Sequence, residues 1–149
     1  MKKNFLIPLV ISIILGFISA QIVYNEYDKK QEINKNNTYI LQGGVYTTKE
    51  TLETAIKSFN NYLVVSEDNK YYVYLAMTTS RDNAQKLKKM YENMEIEIYV
   101  REVNIDNTEF VSNLEQYDIL IESVDNTDNL LSINEVVLSS YEELVLAVE

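Results

Sequence analysis

Tyrosine is the residue whose number and spacing in this sequence suggest binding chemistry, since the chain contains 12 tyrosines and no tryptophan. Several tyrosines occur in segments that we predict as strands, and alternate residues of a strand share one face of a sheet. Flat aromatic rings beside hydroxyl and amide groups suit sugar rings, which have apolar faces and hydrogen-bonding rims. Two other interpretations stay open: tyrosine favours strands in general, or another element covers this face. The predicted face comprises Ile40, Gln42, Gly44, Tyr46, Tyr72, Tyr74, Tyr99 and Arg101.

The composition excludes several classes of catalytic chemistry. The sequence has no cysteine and no histidine, which rules out disulfides, Cys/His metal sites, cysteine nucleophiles and histidine acid–base catalysis. No glycine-rich phosphate loop stands out, and the adjacent Glu67 and Asp68 are a poor basis for a glycosidase pair. We therefore predict a non-enzymatic protein without a cofactor. The net charge of -10 also argues against nucleic acid as a partner.

The elements that position the tyrosines form an internal repeat between Tyr39 and Val103. Each half consists of a strand, a capped helix and a second strand, with Tyr39 superposed on Tyr71 and Thr48 on Ser80. Two such units predict an α+β fold in which a four-stranded antiparallel sheet carries both helices on one face, the split βαβ or ferredoxin-like arrangement. The residues predicted to pack beneath these helices are Leu41, Val45, Val73, Leu75, Ile96, Ile98 and Val100.

The first predicted strand, Tyr39-Ile-Leu-Gln-Gly-Gly-Val-Tyr46, resembles the first strand of the SPOR domain family, whose Gln-x-Gly-x-aromatic pattern is met by Gln42, Gly44 and Tyr46. Residues 71–84 resemble the second half of that family, and the similarity covers about residues 39–103. The resemblance implies a sheet that binds peptidoglycan glycan strands lacking stem peptides, at division or sporulation septa. It makes Gln42 the first candidate for a glycan contact, and the further candidates on the same face are Gly44, Tyr46, Tyr72, Tyr74, Tyr99 and Arg101. Four positions depart from the family pattern. Tyr72 replaces an Arg, Ala76 a Gly and Thr78 an aromatic residue, and Val45 lies where a small polar residue is common next to the glycan.

The N-terminal segment has the composition of a membrane anchor. Met1-Lys2-Lys3 precedes an uncharged, mostly apolar run from Asn4 to Asn25, and about 20 such residues in a helix span a bilayer. We predict a transmembrane helix within residues 1–25, with the N-terminus in the cytoplasm, a polar tether over residues 26–38, and an extracytoplasmic domain. The alternative is a cleaved signal peptide, which would deliver the domain to the same side.

The C-terminal segment, residues 105–149, has no lysine or arginine but carries nearly half of the 23 acidic residues. Apolar residues at helical spacing, from Phe110 to Val124, predict one helix, and a capping box at Ser132–Glu135 predicts the start of a second. We expect an αα-hairpin that follows a SPOR-like domain at residues 39–104. The Asp/Asn run at 125–129 lacks the spacing of a calcium loop, which favours a solvated turn over a metal site.

The apolar stripes of this predicted hairpin must be buried somewhere. A second copy of the chain, a protein partner or the tyrosine face of the sheet could each cover them, and the last would oppose glycan binding. The sequence therefore leaves two hypotheses. The leading one is a membrane-anchored, non-enzymatic module that binds peptidoglycan glycan strands. The alternative is a protein-interaction or scaffolding module in which the C-terminal helices mediate assembly and glycan binding is lost.

Overall fold

The computed structural model describes residues 37–147. A 3-10 turn, Ile56–Ser58, follows the first helix, and a π-helical turn, Glu142–Leu146, follows the last. The strands and helices, in chain order, are β1 (Asn37–Tyr46), α1 (Lys49–Ala55), β2 (Leu63–Glu67), β3 (Lys70–Thr78), α2 (Arg81–Asn93), β4 (Tyr99–Asn104), α3 (Thr108–Ser123) and α4 (Thr127–Tyr141).

The four strands form one antiparallel sheet in the order β2-β3-β1-β4, which is the order of a split βαβ unit. Side-chain caps fix where the helices begin. Thr48, Ser80 and Asn107 each accept a hydrogen bond from the backbone N–H of the residue three positions later, and Asn126 does the same for the start of α4. Each cap satisfies an amide that would otherwise lack a partner in the first helical turn.

Two β-bulges interrupt the pairing of β1 with β3. Leu41 pairs with Ala76 and Gln42 with Tyr74, so Leu75 is an extra residue on β3. Gly44 then pairs with Val73, which makes Gly43 an extra residue on β1. The two insertions compensate, so the strands stay paired on both sides of the irregularity. A bulge also shifts the alternation of side chains between the two faces of its strand.

Apolar side chains form one cluster on each face of the sheet. The cluster beneath α1 and α2 includes Leu41, Val73, Leu75, Leu87 and Tyr91, together with Ile121, Leu130 and Leu131 from the hairpin. The cluster on the opposite face joins Ile40, Tyr74 and Met77 to Phe110, Leu114, Val137 and Leu138 of α3 and α4. The hairpin therefore contributes to both clusters, and its apolar stripes are buried against the chain's own sheet.

Two charged side chains, Asp118 and Lys86, link α3 by hydrogen bonds to the β3–α2 junction and to α2 itself. The buried Asp118 carboxylate accepts hydrogen bonds from the Thr78 hydroxyl, from the backbone N–H (2.8 Å) and hydroxyl (2.6 Å) of Thr79, and from Asn83 Nδ2 (3.3 Å). Lys86 Nζ donates to the carbonyl oxygens of Ile121 (2.9 Å) and of Val124, beyond the end of α3. A cation at this position is favoured by the partial negative charge of a helix C-terminus.

The structure has the predicted α+β class and four-stranded antiparallel sheet, but it contradicts the predicted fold class as it was stated. That prediction combined a transmembrane helix with a sheet that carries two helices on one face and an appended hairpin. Within residues 37–147, however, no helix is both long and apolar enough to cross a membrane, and helices cover both faces of the sheet. The predicted anchor at residues 1–25 lies outside the described residues, as does the predicted tether up to residue 36. Asn37 and Thr38 belong to β1.

Candidate functional site

The tyrosine face of the sheet is largely covered by α3 and α4. Ile40 and Tyr74 are only 1% and 2% exposed, and Gln42 is 6% exposed. The ring of Tyr141 packs edge-on against Tyr74, with 6.3 Å between ring centroids, and also contacts Phe110. The face predicted to be an open surface is therefore mostly an internal packing surface.

One end of this face remains accessible. Tyr99 on β4 is 56% exposed and Val45 on β1 is 46% exposed, while Tyr72 and Arg101 are half-buried. Pairing brings these side chains together, because Gln42 lies between Tyr74 on β3 and Tyr99 on β4, and Val45 lies opposite Tyr72. We call Val45, Tyr72, Tyr99 and Arg101, together with the buried Gln42 that lies between them, the uncovered patch.

Arg101 organises the uncovered patch. Its Nη2 donates a hydrogen bond of 2.9 Å to the Tyr74 hydroxyl, and its guanidinium carbon lies 5.3 Å from the ring centroid of Tyr72, within cation–π range. Arg101 pairs with Ile40 of β1, and because β1 separates β4 from β3, the Arg101 side chain must cross β1 to reach these tyrosines. Burial raises the pKa of Tyr74, while the neighbouring Arg101 opposes the rise, so the phenol stays neutral at pH 7.

Two nitrogen atoms in the uncovered patch have no hydrogen-bond partner within residues 37–147. They are Nε2 of Gln42 and Nε of Arg101, and both are buried. Amide and guanidinium N–H groups are donors, and a buried donor without a partner is unfavourable. Both donors lie below the surface beside the exposed Tyr99, so a ligand would bond to them only after the side chains above them rotate aside.

The exposed ring of Tyr99 forms the outer rim. Its hydroxyl donates a hydrogen bond of 2.9 Å to the Glu97 carboxylate, and this bond is the largest cause of the raised pKa of Tyr99. With Tyr99 56% exposed, its ring is accessible for stacking. Glu97 is a site neighbour that was not among the predicted site residues, and it lies two residues before the start of β4.

Gly44 and Tyr46 do not join Gln42 as predicted. Beyond the Gly43 bulge the faces exchange, so Tyr46 packs with the cluster beneath α1 and its hydroxyl donates to the Gly43 carbonyl at 3.4 Å. Gly44 has φ +153°, and a Cβ there would lie 2.5 Å from the Tyr46 hydroxyl oxygen. The predicted position of Tyr46 on the face of Gln42 is therefore wrong, and Gly44 has a backbone role.

The same bulge brings Val45 into the uncovered patch, although the alternation predicted it beneath the helices. Val100, also predicted to be buried, is 42% exposed on the edge strand β4. The consecutive glycines at positions 43 and 44 are the sequence signal that could have indicated a bulge.

No protein-family model matches this sequence, and no curated protein matches it. Among solved structures, the chain is similar to the solution structure of the peptidoglycan binding domain of the B. subtilis cell wall lytic enzyme CwlC. The sequence identity is 22%, the TM-score is 0.40, and the match covers 46% of this chain and 91% of that chain. These comparisons assign the chain to no family.

Proposed function

We propose that this protein is a non-catalytic module that binds the glycan strands of peptidoglycan through the uncovered patch. The observation that carries the proposal is the unpartnered amide of Gln42, which lies between Tyr74 and the exposed Tyr99. A sugar ring stacked on Tyr99 would present its hydroxyl and acetamido oxygens to the donors of Gln42 and Arg101. The ligand class comes from the resemblance of Gln42 and Gly44 to the SPOR motif.

The proposed binding site is small, because α3 and α4 cover most of the tyrosine face of the sheet. Since α4 buries Tyr74, a glycan would contact the end of the sheet near Tyr99 and not its whole length. We therefore propose a short contact of one or two sugar units, without the groove of an enzyme that surrounds its substrate. Binding of this kind requires the domain to reach the extracytoplasmic side, where peptidoglycan lies. The resemblance points to the septal or sporulation-associated wall as its location.

A sedimentation assay with the full chain and purified peptidoglycan tests this function. We expect binding to glycan from which an amidase has removed the stem peptides. Gln42→Ala and Tyr99→Ala should each weaken this binding roughly tenfold, the effect of about 1.4 kcal/mol from one hydrogen bond or ring contact.

Tyr62→Ala is the matched control, because Tyr62 is also an exposed tyrosine, at 41%, but lies in the loop before β2. This variant should bind like the unmodified chain. Absence of binding to amidase-treated glycan, or equal losses in the Tyr62 and Tyr99 variants, would contradict the proposal.

The alternative function, assembly through the C-terminal helices, loses its original argument because the apolar stripes of these helices are buried within the chain. The large apolar side chains that α3 and α4 leave exposed are Ile119, Leu120 and Val136. Assembly would have to use these residues. A concentration-dependent increase in mass that Ile119→Ser removes, together with no binding to glycan, would favour this function over glycan recognition.

A further inference from the structure

The outer side of β4 is a free sheet edge. β4 is the last strand in the order β2-β3-β1-β4, and within the described part of the chain its outer backbone groups pair with no other strand. Both bulges lie between β1 and β3, so neither twists this edge away from an incoming strand. Unpaired backbone N–H and C=O groups along an edge are a template for another extended chain.

A groove runs beside this edge, between β4 and α2, with a volume of about 410 Å³. Its floor includes Val100, which is 42% exposed, and the half-buried ring of Tyr39. Its wall is formed by α2 and includes Arg81 and Lys88. A groove between an edge strand and a helix is the geometry in which β-strand addition places alternate side chains of a bound peptide.

The helical wall of the groove is basic. Arg81, Gln85 and Lys88 follow one another at helical spacing, and Arg81 and Lys88 are separated by about 10 Å along the axis of α2. Arg81 forms no ion pair within residues 37–147, and Lys88 has an exposed contact of 3.7 Å with Glu92. In a protein with a net charge of -10, these two cations mark a local region that attracts carboxylates.

One acidic residue, Glu102, also lines the groove, but its carboxylate is turned away from the basic wall. The Glu102 carboxylate accepts a hydrogen bond from Asn37 Nδ2 on the neighbouring strand β1. It lies toward β1 and the sheet, and α2 provides the cationic wall opposite. The groove therefore combines an apolar floor, a basic wall and a free strand edge.

We propose that β4 and this groove bind an extended acidic peptide, which adds to the sheet as a fifth strand and directs alternate carboxylates toward Arg81 and Lys88. The backbone ladder would supply affinity for any extended chain, and the basic wall would select for acidic side chains. This site lies on the α2 face and the edge of β4, so it does not depend on the proposed glycan contact at Tyr99.

The test uses the full chain and a short fluorescent peptide of alternating glutamate and threonine, with binding followed by anisotropy at low salt. The double variant Arg81→Glu, Lys88→Glu should weaken binding by roughly tenfold or more. In ¹⁵N-labelled protein, the peptide should shift the amide resonances of residues 99–104. An N-methylated form of the same peptide should not bind, because it lacks the N–H donors of a ladder.

Lys57→Glu is the matched control for charge reversal, since Lys57 is an exposed cation in the turn after α1. It should leave peptide binding unchanged. The proposal is overturned if the N-methylated peptide binds equally well, which would indicate charge attraction alone, or if N-acetylmuramic acid displaces the peptide at equal concentration, which would indicate an acidic-sugar site.

Discussion

At the residue scale, Gln42 and Arg101 are the two side chains of the proposed site whose hydrogen-bonding capacity is not fully used in the folded domain. Each has a buried nitrogen without a hydrogen-bond partner in the described chain, and such an atom costs about 1–3 kcal/mol. For Arg101, the hydrogen bond to Tyr74 and the cation–π contact with Tyr72 offset part of this cost. A ligand that hydrogen-bonds to both of these donors would remove this cost. Binding at the uncovered patch should therefore also raise the free energy of unfolding.

Tyr91 gives a prediction on pH dependence. Its hydroxyl donates to the carbonyl of Leu75 on the bulge at 2.9 Å, and burial raises its pKa to about 12. Below pH 10 the phenol is neutral in the folded and the unfolded states, so the contribution of Tyr91 to the free energy of unfolding is fully present. Between pH 10 and 12 the unfolded state loses its proton first, and the free energy of unfolding should fall by about 2–3 kcal/mol.

Urea denaturation at a series of pH values measures this effect, with Tyr91→Phe as the comparison. The variant should be less stable at neutral pH, because it loses the hydrogen bonds to Leu75 and Asn134, and its decline above pH 10 should be shallower. Identical slopes in the two proteins would show that Tyr91 does not cause the decline.

At the element scale, the hairpin of α3 and α4 acts as the second cover of the sheet, and Asp118 is the residue that fixes it. Asp118→Asn would turn an acceptor oxygen into an NH₂ group near the hydroxyl and N–H of Thr79. The loss of these hydrogen bonds should lower the free energy of unfolding by about 1–3 kcal/mol, as measured by chemical denaturation. Asp125→Asn should cost less than about 1 kcal/mol, because the Asp125 side chain is 96% exposed in its ion pair with Lys86.

The elements were predictable from the sequence where a local pattern determines them. The repeat of strand, cap and helix correctly indicated β1, β3 and the cap at Ser80. Thr47 and Thr48 both offered a cap for α1, and the structure uses Thr48. The predicted start of α4 at Ser132 was wrong, because Asn126 caps the helix six residues earlier and its first three residues, Thr127 to Asn129, are exposed and carry no apolar signal. Asn126 and Ser132 are both residues that can cap a helix, and the sequence alone does not indicate which of the two does so.

The bulges explain why the site was less predictable than the elements. An extra residue such as Gly43 exchanges the faces of all side chains that follow it on the strand, and strict alternation cannot reveal this. Tyr46 and Val45 exchanged roles for this reason. The position of the hairpin was also undetermined, because an apolar stripe such as that of α3 does not specify what it packs against.

At the scale of the whole molecule, the described residues 37–147 belong to one compact unit. Ending the chain after Asn104 would expose Ile40, Tyr74 and Met77 on one face. On the other face it would remove Ile121 and the start of α4 from the cluster beneath α2. We expect the truncated chain to lose cooperative unfolding and to bind the dye ANS, as incompletely packed proteins do.

Circular dichroism melting and ANS fluorescence of the two chains test this expectation. A truncated chain that melts cooperatively as a monomer would contradict it and would show that the sheet with α1 and α2 is an independent domain. In that case the tyrosine face would be open in the shorter chain, and its affinity for glycan would report directly on the cover.

The sharing of both clusters by α4 also has a consequence for the timing of folding. Val137 and Leu138 complete one side of the sheet, and the pairing of β1 with β4 joins residues far apart in the sequence. We expect that the core is complete only after residues near position 141 have left the ribosome. Apolar residues of the sheet would then stay uncovered through most of synthesis, when chaperones must protect the chain from aggregation.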